Sequence, residues 1–242
     1  MKALILNSGV GRRMGVLTSE HPKCMTDISP RDTILSRQLR LLKDAGITDI
    51  VITTGLFNDV LIDYCHSLNL PLKYTFVYNP DYAQTNYIQS ICCARDVLQG
   101  EDILLLHGDL VFEKEALDLA LQSPASCVTV SSTLPLPQKD FKAVIEEGRV
   151  RKVGIEFFDS ALACQPLYKL HAQDWDKWLH NICRFCENGV NTCYAENAFN
   201  EISGSMQLLP LDVKDLLCNE IDTPEDLAVV AQRVREVEAR EA

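Results

Sequence analysis

Gly9 and Gly11 follow a short apolar run, Ala3 to Leu6, and lead directly into Arg12 and Arg13. Lys23 comes a little later, after Pro22. Glycines permit backbone angles and close approaches that a Cβ forbids. A glycine-rich turn leaving a strand exposes backbone N–H groups, and the neighbouring cations add charge. The stretch therefore suits an anion, most naturally a phosphate chain. A second candidate is Asp109, in Gly108-Asp109-Leu110-Val111-Phe112, which follows the most apolar run of the chain, Asp102 to His107. A carboxylate beside a glycine at the carboxyl end of a central strand points into a cleft and can hold a hard cation. The third is Asp222, in Asn219-Glu220-Ile221-Asp222-Thr223-Pro224-Glu225-Asp226. There Thr223 can cap a helix, with Pro224 in its first turn and Glu225 and Asp226 complementing the dipole. Capping explains Thr-Pro-Glu-Asp and leaves Asp222 free for another task.

Several readings compete for the glycine turn. It is not a Walker P-loop, because no Gly-Lys-Ser/Thr follows the glycines. A loose dinucleotide fingerprint can be traced through Gly9, Gly11 and Gly15. Against it, two arginines crowd the turn, and the second strand, Ile50 to Thr54, does not end in a ribose-binding acid. A plain surface loop with incidental charges is the bland alternative. The remaining reading rests on Leu6-x-x-Gly9-x-Gly11-x-Arg13-Met14, with Leu17-Thr18 and Pro22-Lys23. This pattern resembles the nucleotidyltransferase signature L-x-A-G-x-G-x-R-(L/M)-x-P-L-T followed by P-K.

The resemblance extends over nearly the whole chain and is strongest to the CTP-dependent, phosphocholine cytidylyltransferase-like branch. It implies an α/β, three-layer Rossmann-like fold. The sheet would be mixed and mostly parallel, with helices on both faces and a small β excursion over the acceptor site. It implies that Asp109 and Asp222 ligate Mg²⁺ and that Arg13 and Lys23 neutralise charge on the triphosphate. Leu6, Asn7, Ser8, Gly9, Gly11, Arg13, Lys23, Gly55 and Gly108 would then surround the nucleotide. Tyr82, Thr85 and Asn86 would face the nucleotide or the acceptor, since a Tyr-x-x-x-Asn segment also occurs in that branch. An Asx-type helix cap at Thr85 or Asn86 is the competing account. Glu196 and Asn197, with Tyr194 as an aromatic wall, would recognise a cationic amine. A solvated helix face explains the same acids equally well.

Two departures from the signature bear on specificity: Asn7-Ser8 stands where a small pair is usual, and Val16 replaces a proline. The compact size and the stretch Pro22 to Met25 look closer to CTP-using enzymes. The acceptors implied are phosphocholine, 2-aminoethylphosphonate or phosphoglutamine. Sugar-1-phosphates or polyol phosphates are the alternative within the class. From other classes come a catalytically weak nucleotide-binding regulator, which has no need of two metal acids, and a glycosyltransferase, which usually carries an Asp-x-Asp motif absent around Asp109.

These residues need a scaffold, and the pattern supplies one. Thr33 to Ala45 carries apolar residues at helical spacing and stops at Gly46. Asp49 to Thr54 and Leu72 to Tyr78 are predicted strands, with a helix over Val60 to Leu68 between them. Such alternation gives a parallel sheet whose ligands bind at the carboxyl ends of strands. A polar turn, Asn79 to Asn86, precedes a predicted helix from Tyr87 to Leu98. After Asp109 come a helix to Gln122, a strand over Cys127 to Ser132, and a hairpin over Phe141 to Val153 with Glu147-Gly148 as its turn. Ala161 to Leu170 is a strand and Trp175 to Asn188 an amphipathic helix, whose two tryptophans share one face and belong to the core. Val213 to Ile221 is a strand, and the closing helix runs from Pro224 to Ala242. One domain, residues 1–242, is expected, with about 133–210 contributing the acceptor side.

With 242 residues, 47% of them apolar, the chain can fill a sizeable core. Its net charge of −11 repels nucleic acid and anionic membranes, so any nucleotide must be drawn by the local cations. No apolar run approaches membrane-spanning length and no signal sequence is evident, so the expectation is a cytoplasmic protein, with a homodimer as an open option. The ten cysteines are scattered among apolar neighbours, as small hydrophobes are. Cys183, Cys186 and Cys193 invite a zinc reading, but only His171 and His180 are near enough in sequence to complete it.

Overall fold

In the computed structural model, which describes residues 1–241, the first apolar run becomes strand β1, Lys2–Asn7. The alternating side chains of β1 enter opposite layers. Leu4 and Leu6 join one apolar core and Ala3 and Ile5 another. A strand buried on both faces must be covered by helices on both sides, hence the near-continuous apolar sequence.

Helix α1, Ile34–Asp44, is capped by Thr33, whose side chain accepts from Ser36 N, and it is followed by Gly46 at φ +79°. β2, Asp49–Thr54, and β3, Lys73–Tyr78, flank α2, Asn58–Ser67. The expected single helix from Tyr87 is two, α3 (Tyr87–Cys93) and α4 (Arg95–Leu98), because Ala94 leaves helical geometry. β4 (Ile103–His107), β5 (Leu110–Phe112), α5 (Lys114–Gln122) and β6 (Cys127–Ser131) follow. The hairpin is β7 (Lys142–Glu146) and β8 (Arg149–Gly154), turned at Glu147 and Gly148, both with positive φ. β9 (Ala161–Leu170), α6 (Ala172–Glu187), α7 (Ala195–Ile202), β10 (Leu209–Asp212), β11 (Cys218–Glu220) and α8 (Pro224–Glu241) complete the chain. The last residue of the expected closing helix, Ala242, lies outside the described residues.

The main sheet runs β10-β6-β9-β4-β1-β2-β3, with the β7–β8 hairpin attached to β9. β1, β2, β3 and β4 pair in parallel, as do β6 and β10, while β9 is antiparallel to both β4 and β6. This is the expected mixed, mostly parallel Rossmann-like sheet with β4 at its centre. Trp175 and Trp178 are fully buried, and their indole N–H groups donate to Leu98 O (3.1 Å) and Ala195 O (2.9 Å). They are core residues, as their spacing predicted.

Two expectations are corrected. Only Cys218–Glu220 of the Val213–Ile221 segment is strand, because Lys214 turns the chain at φ +52°. Helix α7 does not present Glu196 on a solvated face: that acid is buried, and the helix packs on the core through Ala195, Ala198 and Phe199.

A smaller ladder matters most for the site. β5 pairs antiparallel with β11, setting Leu110 opposite Glu220, and Ile221 N donates to Asp109 O at 3.0 Å. Asp109 and Asp222 are thereby fixed at one end of one two-stranded ribbon. Behind it, Met14, Ile34, Val111 and Ile221 form a third core with Val230, Val234 and Val237 of α8. Among the described residues, no helix is long and apolar enough to cross a membrane.

Candidate active site

A cavity of about 430 Å³ opens at the carboxyl ends of β1 and β4. Leu6, Asn7, Ser8, Gly9 and Gly11 form its floor, with Arg12 and Arg13 at the edge. The loop is held from beneath: Ser8 Oγ donates to Thr53 Oγ1 (3.0 Å), and Asn7 N donates to the same oxygen (3.2 Å). Two glycines make that close approach possible. A Cβ on Gly55 would overlap Ser8 O and lie 3.1 Å from Tyr82 Cβ, so Gly55 lets the loop rest on the end of β2. Gly55 supports the cavity but does not line it. Gly108 does line it, and its N–H donates to Leu6 O at 3.0 Å, locking β4 to β1 at the rim.

Asp109 and Asp222 face each other across Lys23. The Lys23 ammonium donates to Asp109 Oδ2 and to Asp222 Oδ1, the latter at 2.8 Å, while Arg13 reaches Asp222 Oδ1 at 2.7 Å. Burial opposes a charged lysine, yet the two carboxylates outweigh it and hold the Lys23 pKa above its ordinary value. Asp109 is likewise held below the usual carboxylate range: burial pushes it up, and Lys23 and His107 more than reverse this. Asp222 is fixed by the start of α8, where Asp226 accepts from the N–H groups of Asp222 (3.1 Å) and Thr223 (2.8 Å). Thr223 Oγ1 in turn accepts from Asp226 N, so the cap read from sequence is present and positions Asp222.

The turn from Asn79 to Asn86 forms a side wall containing Tyr82, Thr85 and Asn86. Asn79 organises it: its amide donates to Thr85 Oγ1 (3.1 Å) and Ser90 Oγ (3.0 Å), and its oxygen accepts from Asp81 N (2.9 Å). Asn86 caps α3, accepting from Tyr87 N at 2.7 Å, and also lines the cavity. The cap read from sequence is therefore present, on a residue that also faces the cavity.

The far wall is aromatic. Tyr87 and Phe141 pack against His107, with ring centres 4.8 and 6.1 Å from it, and Tyr194 packs on both of them, 5.1 Å from Phe141. Tyr194 is exposed to the cavity, as expected, but its two partners in the acceptor expectation are not. Glu196 is buried, its carboxylate accepting from Tyr87 Oη and from Tyr168 Oη (2.9 Å). Asn197 accepts from Tyr194 N at 3.1 Å and so caps α7. Both therefore hold the wall in place from behind. Replacing Glu196 by Ala strands two buried hydroxyls, which is expected to cost about 2–4 kcal/mol in denaturant unfolding. Glu196→Gln, which keeps an acceptor, should recover much of that loss.

The structure adds residues that the sequence did not single out: His107, Glu220, Lys139 and Asp140 all line the cavity. His107 Nδ1 lies 2.9 Å from Glu220 Oε1. Burial, then the charge of Asp109, pushes the Glu220 carboxyl up to about 7. Glu220 carried a signal, since two residues before Asp222 on an extended strand is the same face. Lys139 and Asp140 carried none, because only the β7–β8 excursion folds them over the opening. The thiols of Cys183, Cys186 and Cys193 do not gather into a zinc site. Among the described residues, one group of three metal-ligating side chains has donor atoms within 4.8 Å of one another: His107, Asp109 and Glu220.

Comparison with known proteins gives a consistent picture. Residues 3–134 match the model of the MobA-like NTP transferase domain. The CTP:phosphoglutamine cytidylyltransferase of Campylobacter jejuni is 28% identical over 160 residues, 63% of this chain and 62% of that protein. Mannose-1-phosphate guanylyltransferase 1 of Arabidopsis thaliana is also 28% identical over 63% of this chain, but over 44% of its own length. The match thus spans less than two thirds of either relative. The solved structure of CTP:phosphocholine cytidylyltransferase from Streptococcus pneumoniae superposes with a TM-score of 0.77 over 96% of this chain and 98% of that one, at 18% identity. At that identity the likeness concerns the fold.

Proposed function

Because the chain belongs to the MobA-like NTP transferase domain family, we propose that it is a cytidylyltransferase. It would transfer CMP from CTP to the phosphate or phosphonate of a small acceptor of the phosphocholine, 2-aminoethylphosphonate or phosphoglutamine type, releasing pyrophosphate. The observation that carries this reading is the bridge of Lys23 between Asp109 and Asp222, set beside the glycine loop in one cavity. The cytidylyltransferase relative supports the donor, and the aromatic wall opposite supports an acceptor with an amine-bearing end.

Asp109 and Asp222 would hold the Mg²⁺ that the reading implies. Asp109 Oδ1 is buried with no hydrogen-bond partner, and carboxylate oxygens suit a hard cation. When bound, the ion would neutralise charge on the triphosphate. The backbone at Gly9 and Gly11 would bind the phosphates, while Leu6, Asn7, Ser8 and Gly108 shape the nucleoside side. Arg13 and Lys23 would leave their carboxylate partners for the phosphate oxygens. The acceptor oxygen, already anionic, attacks the α-phosphorus in line. A new P–O bond forms as the bond to the β-phosphate oxygen breaks, and pyrophosphate carries away the electron pair. No protein nucleophile is needed, so positioning and charge neutralisation carry the rate.

Pyrophosphate release with Mg²⁺, each common NTP and a panel of phosphorylated amines, 2-aminoethylphosphonate, phosphoglutamine and sugar-1-phosphates tests the proposal. The expected result is release with CTP and an amine-bearing acceptor. Release only with GTP, UTP or dTTP and a sugar phosphate would move the protein to the sugar-nucleotide branch. CTP binding without release across the panel would favour a regulator.

A further inference from the structure

We propose that Cys92, Cys183 and Cys186 form a redox-active thiol site where α3 packs on α6. Cys92 would be the nucleophile toward a hydroperoxide. Cys183 or Cys186 would resolve the product as a disulfide between the two helices. The inference rests on how these helices pack and does not depend on which nucleotide the protein uses.

Cys92 lies in the last turn of α3, while Cys183 and Cys186, at i and i+3, share one face near the end of α6. All three are half-buried and pack against the same apolar core. The Cys92 sulfur is within hydrogen-bonding reach of both α6 thiols. Cys186 Sγ also donates to Ile88 O, one turn before Cys92, at 3.7 Å. The junction is fixed at both ends: Asn86 N donates to Asn191 O at 2.8 Å, and Arg95, beside the thiols, reaches Glu187 at 3.7 Å. The three sulfurs do not gather as closely as the donor atoms at the cavity do, which suits a bond between two of them rather than a shared ion.

The surroundings make the three thiols unequal. Hydrogen bonds from Cys183 and Cys186, aided by the charge of Arg95, hold Cys92 well below the ordinary thiol range against the opposing effect of burial. The same contact, together with burial, pushes Cys183 and Cys186 up, so they stay protonated until a reaction draws on them. An accessible thiolate beside a thiol that can resolve it is the arrangement of peroxide-sensitive cysteines. The Cys92 thiolate attacks one oxygen of the peroxide and the O–O bond breaks. Sulfur is oxidised to the sulfenic acid, and the departing hydroxide takes a proton from solvent as water. Cys183 or Cys186 then gives up its proton and attacks the sulfenic sulfur. An S–S bond forms, the S–O bond breaks, and the departing hydroxide takes that proton as a second water. The disulfide would brace α3, the helix whose first turn supplies Tyr87 and Ser90 to the cavity wall.

The probe is hydrogen peroxide, added stoichiometrically to the reduced full-length protein, with free thiols then alkylated and peptides mapped by mass spectrometry. A disulfide from Cys92 to Cys183 or Cys186 should be the first product. Cys93 is the internal reference, because it is the more exposed neighbour yet partial desolvation pushes its thiol up. Cys92 should react about tenfold faster than Cys93, or more. Cys92→Ser should leave both α6 thiols reduced. In the double variant Cys183→Ser, Cys186→Ser, the hydroxyls should still donate to Cys92, and the reaction should stop at its sulfenic acid, trapped by dimedone. Melting curves identify any variant that fails to fold, in which case the wild-type product map decides alone. Three results would overturn the proposal. These are oxidation of Cys93 ahead of Cys92, a wild-type product that leaves Cys92 unlinked to α6, and no dimedone adduct on Cys92 in the folded double variant. In any of these cases the three thiols are simply packing at a helix junction. CTP turnover is not read at all, so failure here leaves the cytidylyltransferase proposal intact.

Discussion

Asp109→Asn should reduce kcat/KM by about a thousandfold or more while the protein still folds and melts near the wild-type temperature. The substitution keeps the shape of the side chain and removes its charge. Lys23 retains Asp222 as a partner at 2.8 Å, so the loop is not released and stability is largely preserved. What disappears is the anionic oxygen proposed to hold the cation, and with it the charge balance proposed around the triphosphate. Steady-state pyrophosphate release, paired with a melting curve, checks both halves. Activity within about tenfold of wild type would remove Asp109 from the machinery. A collapse in melting temperature would show that its principal task is to balance Lys23.

Gly108→Ala should be nearly as damaging, for a steric reason. A Cβ there would overlap Asn7 Oδ1 and stand 2.5 Å from the backbone oxygen of Leu6. The Gly108 N–H is bonded to that same oxygen at 3.0 Å, so the strands cannot part without breaking the rim. Overpacking of this kind typically costs about 1–3 kcal/mol, and a shift near 1 Å in the catalytic groups costs about a hundredfold in rate. Gly9→Ala is the matched control, since no neighbouring atom lies within 4 Å of its added Cβ. Its stability should be unchanged, and any loss of activity would report the approach of a ligand to that backbone. Equal stability for the two alanine variants would mean that the rim yields more easily than its hydrogen bond suggests.

The parts of this molecule visible in its sequence are those with local causes. β1, β2 and β4 are apolar over most of their length, and α1 announces itself through Thr33 and Gly46. The glycine loop, Arg13 and Lys23 stand out by residue type and spacing, Asp109 by its place after the most apolar run, and Asp222 through what the family resemblance implies. What remained hidden depends on distant neighbours. β10 reads Leu-Pro-Leu-Asp, and proline argues against a strand unless that strand lies at an edge, as β10 does. Glu196 looks like a solvent-facing acid until Tyr87 and Tyr168 are seen around it. The break at Ala94 has no glycine or proline to signal it. His107 could not be weighed without Glu220, which the ribbon of β5 and β11 brings to it from more than a hundred residues away.

That ribbon also bears on how the protein can be taken apart. The family model matches residues 3–134, yet Asp222, Glu220 and the valines of α8 that pack against Met14 all lie beyond it. A chimera that exchanged only the matched segment between relatives would carry Asp109 and inherit the counterpart of Asp222 from its host. Register between β5 and β11 would then decide whether the two acids meet. A shift of two residues along an antiparallel pair moves a side chain by about 7 Å. Recombination points that respect this protein therefore lie outside both halves of the ribbon, and the last helix must travel with the first loop.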